Sequence, residues 1–81
     1  MNVRIQLFAI ARQRIGRSEI EVSLPEPATV ADLRRILVIQ FPAVADVLPH
    51  IRVAINSSYA SDATVIPPEA EVALIPPVSG G

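Results

Sequence analysis

The chain carries its most usable chemistry on its last residue. It ends "IPPVSGG", residues 75–81, so its final group is the α-carboxylate of Gly81, preceded by Gly80. A carboxylate is a poor acyl donor, but once activated as an acyl-adenylate it is open to attack by sulfur or by an amine. Pro76 and Pro77 favour an extended polyproline geometry that projects away from the preceding strand. The six residues after Ile75 reach roughly 20 Å when extended. Gly80 and Gly81 lack a Cβ, so they can thread a narrow channel and adopt dihedrals closed to other residues. With Val78 and Ser79 they form an arm suited to carrying its tip into another protein.

Other residues offer little chemistry. There is no Cys, which excludes a disulfide scaffold, a thiol nucleophile and a cysteine-ligated iron–sulfur cluster. The seven basic residues are all Arg, at 4, 12, 14, 17, 34, 35 and 52, so no lysine amine is available for a Schiff base. His50 is the one histidine. It follows Pro49, is expected in a loop, and has no visible ligand set or acid–base partner. Ser57, Ser58, Ser61 and Ser79 lack the activating His of a nucleophilic serine. Asp46 and Asp62 are expected to serve turns or caps. Arg12, Arg14 and Arg17 are expected on a solvated face, where they could steer an acidic partner surface. No autonomous active site is expected.

Composition bounds the partners. Eighty-one residues make one domain. A net charge of −1 argues against nucleic acid or an anionic membrane as the main partner. No apolar run approaches the ~20 residues of a membrane span, and no signal peptide is evident. A cytoplasmic protein is expected. Hydrophobic content is 51% and charge 19%, against roughly 25% charge in ordinary domains. Part of the apolar surplus is expected on the surface, marking a partner site.

The elements that must position the arm follow from periodicity. Asn2–Phe8 alternates, with Val3, Ile5 and Leu7 on one side, as a half-buried strand does. Ala9–Ile15 is expected to form one or two helical turns stopped by Gly16. Ser18–Leu24 alternates again until Pro25. Thr29 is a good N-cap, with Asp32 three residues on, and Val30, Leu33, Ile36 and Leu37 keep helical spacing as far as Phe41. Arg34 and Arg35 are expected on the wet face of that helix. Ile51–Ile55 is the third strand, followed by a turn at Asn56–Ser58. Tyr59–Ile66 is ambiguous, with a short strand near 59–61 or 64–66. Glu71–Ile75 is the closing strand, which Pro76 and Pro77 end.

This order predicts an α+β fold: a mixed sheet of four or five strands with one main helix on one face. If the first hairpin and the last strand share the sheet, the architecture is the ubiquitin-like β-grasp. The expected division is a domain over 1–76 and an extended, flexible tail over 77–81. The sheet face away from the helix should alternate polar, yet Phe8 and Ile75 point there. Ala54 and Ala73 are nearby and uncharged, and Tyr59 could reach the same end. Either these residues form an exposed apolar patch beside the tail, or the segment 9–17 folds over them.

The chain resembles the small subunits of molybdopterin synthase, the MoaD-type ubiquitin-like sulfur carriers. "LFAIARQRIG" at 7–16, "TVADLRRIL" at 29–37, "VAIN" at 53–56 and above all "EVALIPPVSGG" at 71–81 carry the resemblance. It implies that an E1-like, ATP-using enzyme adenylates Gly81 and that sulfur transfer makes a thiocarboxylate there. The charged carrier then docks on the synthase large subunit and donates sulfur to a pyranopterin precursor of the molybdenum cofactor. A heterotetramer of two small and two large subunits is implied, with the catalytic side chains on the large subunit. No cofactor bound to the carrier is implied; ATP belongs to the activating partner. The family's apolar docking positions fall on Phe8, Tyr59 and Ile75, and its tail contacts on Pro76, Pro77, Val78 and Ser79. The family's usual Asp-Gly-Asp-Glu turn is Pro68-Glu69-Ala70-Glu71 here, without the Gly. Rival readings are a sulfur carrier for thiamine or cysteine synthesis, a ubiquitin-like protein modifier, and an interaction module with an inert tail.

Overall fold

The alternation of the sequence becomes a five-stranded mixed sheet, with strands in the spatial order β2-β1-β5-β3-β4. The strands are β1 Asn2–Leu7, β2 Glu19–Ser23, β3 Arg52–Ile55, β4 Ser58–Ala60 and β5 Glu71–Ile75. They are seen in a computed structural model that describes residues 1–76; Pro77, Val78, Ser79, Gly80 and Gly81 lie outside the described residues. β1 pairs antiparallel with β2 and parallel with β5, and β3 lies antiparallel between β5 and β4. The two helices are α1, Ala9–Ile15, and α2, Val30–Gln40. Two 3₁₀ turns, Pro42–Val44 and Leu48–His50, link α2 to β3. This is the β-grasp arrangement expected from the order of elements.

One sheet face forms the core. Val3, Ile5, Leu7, Ile20, Val22, Val53, Val72 and Leu74 are buried there together with Val30, Leu33 and Leu37 of α2. The helix begins where the sequence places it. The Thr29 hydroxyl accepts the Asp32 backbone N–H at 3.3 Å, and the Asp32 carboxylate accepts the Thr29 N–H at 2.9 Å. These reciprocal bonds satisfy two of the donors that every helix start leaves open. The Thr29 N–H is the leading reason the Asp32 carboxyl is held below its ordinary pKa, and the Arg35 guanidinium adds to it. Gly16 ends α1 in the left-handed region at φ 82°, which costs a residue without a Cβ nothing.

Arg34 departs from expectation. It does not lie on the wet face. Its guanidinium donates to the Leu48 and Ile51 carbonyls at 2.7 and 2.8 Å and to the Asp62 carboxylate at 2.9 Å. It ties α2 to the 3₁₀ connection and to the loop after β4. Asp62 is therefore an ion-pair partner and not merely a turn residue. Asp46 is another, since Arg14 donates to it at 2.8 Å and to the Ala43 carbonyl at 3.0 Å. That bond holds the Asp46 carboxyl below its ordinary pKa and fastens α1 to the first 3₁₀ turn. The ambiguous segment divides. Ser58–Ala60 becomes β4, while Val65 forms an isolated bridge with Thr29.

Two turns use the left-handed region without glycine. The β3–β4 hairpin has Asn56 at φ 50° and Ser57 at φ 70°, the double positive φ of a type I′ turn. Before β5, Glu69 has φ 62°. It stands at the position that the resemblance gives to Gly, so here a residue with a Cβ holds the left-handed conformation. A side chain in that region costs roughly 1–2 kcal/mol, partly offset by the greater unfolded-state entropy of Gly. Glu69→Gly is expected to raise stability by about 0.5–1 kcal/mol. The check is the urea midpoint at unchanged m-value; an equal or lower midpoint would count against strain at this turn.

Candidate functional site

The outer sheet face is organised by register. Gln6 pairs with Ala73, Ala73 with Ala54, and Ala54 with Tyr59. This row places two small side chains between an amide and an aromatic ring. One step towards the C-terminal end of β5, Ile75 pairs with Arg52. Leu7 pairs with Leu74, so Phe8 arrives beside Ile75. The pleat turns Leu7 into the core and Phe8 outwards. Phe8 remains 43% exposed and Tyr59 60%. The segment 9–17 does not fold over Phe8: Ala11 is the buried residue of α1, and Arg14 draws the helix towards Ala43 and Asp46.

Phe8, Tyr59 and Ile75 thus line one groove of about 340 Å³, together with Gln6, Ala54, Ser57, Glu71, Val72 and Ala73. Ala54 projects to this face, as the alternation requires, but is only 7% exposed. Its neighbours Tyr59 and Ala73 flank it, so it serves as floor. Pro76 directly follows Ile75 at the groove's end, and the remaining named tail residues, Pro77 to Gly81, lie outside the described residues.

Charge is distributed unevenly around this face. Glu71 lines the groove, and beyond it Glu19, Glu21 and Glu69 surround Arg4. At the other end the Arg52 guanidinium lies over the Tyr59 ring, 5.1 Å from its centroid. The sequence reading missed this pair. Both residues were visible, but their proximity depends on the β3–β4 register. A further apolar patch, Val38 and Ile39, lies on α2 near Pro49. His50 is exposed in the second 3₁₀ turn. Among the described residues no three His, Cys, Asp or Glu side chains gather as a metal site, and no helix is long and apolar enough to cross a membrane.

The arrangement leaves an apolar groove walled by Phe8, Tyr59 and Ile75, with Pro76 directly following Ile75. The model of the ThiS family matches residues 5–81. The molybdopterin synthase sulfur carrier subunit of Arabidopsis thaliana is 31% identical over 81 residues, covering all of this chain and 84% of that one. The protein of the same name from Dictyostelium discoideum is 37% identical, covering 96% of this chain and 94% of that one. Among solved structures, SAMP1 from Haloferax volcanii superposes with a TM-score of 0.88 at 30% identity, covering both chains completely.

Proposed function

The chain belongs to the ThiS family, and on that premise we propose that it is the sulfur-carrying small subunit of a molybdopterin synthase. The observation that carries this reading is the placement of Phe8, Tyr59 and Ile75 around one groove, at the point where a strand runs into a Pro-Pro arm ending in Gly-Gly. Names shared by relatives of similar length support the pathway.

The chemistry resides at Gly81. An E1-like enzyme couples its carboxylate to AMP, with ATP as the source, which turns a carboxylate oxygen into part of a leaving group. Pyrophosphate leaves in that step; sulfide-level sulfur from the donor then attacks the acyl carbon, expels AMP and leaves a thiocarboxylate. The groove then docks on the large subunit while the arm delivers sulfur to the pyranopterin precursor. The carrier's own contribution is geometric: Phe8, Tyr59 and Ile75 bind, the proline pair extends the arm, and Gly80 and Gly81 pass through a channel too narrow for side chains. The large subunit supplies the catalytic side chains, and the expected assembly contains two copies of each subunit.

The test is the intact mass of the full chain after incubation with its E1-like activator, ATP and a sulfur donor. A mass gain equal to exchange of one oxygen for sulfur is expected, and it is expected to vanish when Gly81 is deleted. No gain with an activator shown to be competent would overturn the reading. A second reading, protein modification, is favoured by the likeness to SAMP1 of Haloferax volcanii, whose full name is small archaeal modifier protein 1. It predicts isopeptide adducts on target lysines in the same assay instead of a stable thiocarboxylate.

A further inference from the structure

We propose that Arg52 selects the partner of the groove by engaging a carboxylate on the docked protein. The inference rests on the docking reading above and adds the charge that the partner must present.

Arg52 is exposed on β3 and is the cross-strand neighbour of Ile75, the last strand residue before the arm. Of the other six arginines, four have acidic neighbours, and the remaining two, Arg12 and Arg17, lie in α1 and just after it, off the strands of the sheet. Arg14, Arg34 and Arg35 have carboxylate partners in Asp46, Asp62 and Asp32, and Arg4 is flanked in register by Glu21 and Glu71. Arg52 forms no ion pair among the described residues, and its cross-strand neighbour on β5 is apolar. It has only the Tyr59 ring, 5.1 Å from its guanidinium carbon. Stacking on an aromatic face restrains a guanidinium and leaves its N–H fork open at the edge.

A partner that covers Phe8, Tyr59 and Ile75 removes water from the neighbourhood of this cation. A desolvated arginine without an anion opposes binding, whereas a carboxylate placed against the fork makes two charge-assisted hydrogen bonds. A neutral or basic surface at that point is therefore rejected. The opposite end of the groove carries Glu71, so the two ends have opposite signs. Only one orientation of a partner places its acid on Arg52 and its base on Glu71, and that orientation aims the arm. Charge complementarity of this kind sets approach and register.

The experiment measures association of the full chain with the synthase large subunit from the same genome by calorimetry, at low and high salt. Arg52→Ala is expected to weaken binding about 10-fold, the equivalent of about 1.4 kcal/mol, and to flatten its salt dependence. Arg52→Glu is expected to weaken it further, and Arg52→Lys to retain part of the affinity. Unchanged urea midpoints would establish that the variants fold. Wild-type affinity and salt dependence in both Arg52→Ala and Arg52→Glu, with binding lost in Phe8→Asp, would overturn the role of Arg52 and leave the groove standing. Wild-type binding in Phe8→Asp as well would overturn the docking reading and this inference with it.

Discussion

Phe8→Asp is expected to weaken docking on the large subunit by about 100-fold or more while leaving the domain folded. The second half of this expectation follows from where Phe8 stands. Its ring is 43% exposed and outside the core. Its backbone is the N-cap of α1, which has no side-chain cap bond and no acidic residue in its first turn. Aspartate is among the best N-cap residues and suits the positive end of the helix dipole, so the substitution supplies what α1 lacks. The first half follows from the groove. Burying a Phe side chain contributes roughly 1.5–3 kcal/mol, and aromatic anchors at interface centres often exceed ~2 kcal/mol when truncated. A carboxylate stranded between Ile75 and Tyr59 adds a desolvation penalty. About 3 kcal/mol in total is a factor of roughly 100 in affinity. Calorimetric titration with the large subunit checks the loss, and a urea melt checks the fold. Equal affinity would remove Phe8 from the interface.

The second large effect concerns stability. Leu37→Ala is expected to destabilise the chain by about 2–5 kcal/mol, the range for truncating a buried leucine. Leu37 is completely buried and packs in the same cluster as Leu33, Val53 and Leu74. Small domains have only about 5–15 kcal/mol to lose, so much of this chain's stability depends on one side chain. Ile39 is the internal control. It lies two residues further along the same helix but is 77% exposed, and Ile39→Ala is expected to change stability by no more than about 0.5 kcal/mol. The readout is the shift in urea midpoint at constant m-value. Similar shifts for the two variants would mean that α2 packs with a different face inwards.

The contrast between Leu37 and Ile39 was partly legible beforehand. Val30, Leu33 and Leu37 keep helical spacing, and Ile39 stands off it. The groove was legible in part too, because Phe8 and Ile75 violate the alternation of their own strands. Ala54 was placed on the correct face, but its burial was not foreseeable. The face followed from its strand's period of two, whereas burial came from Tyr59 and Ala73 on neighbouring strands.

By itself the sequence determined everything governed by short spacing. Strands β1, β2, β3 and β5 follow from period-two alternation, α2 from Thr29, Asp32 and the spacing of Val30, Leu33 and Leu37, and the end of α1 from Gly16, whereas β4 lay in a stretch that the pattern left ambiguous. The paired glycines and the paired prolines are written directly in residues 76–81. The tertiary structure alone decided what depends on register and on distant partners. Arg34 reaches Leu48, Ile51 and Asp62, which lie 14, 17 and 28 positions away. Arg14 reaches Asp46 across 32. Arg52 meets Tyr59 only because the type I′ turn at Asn56 and Ser57 folds β4 back beside β3. The physical reason is reach. Backbone periodicity and capping act within one turn or one pleat, while a guanidinium on a long side chain finds carbonyls, carboxylates and rings that only the closed sheet brings near.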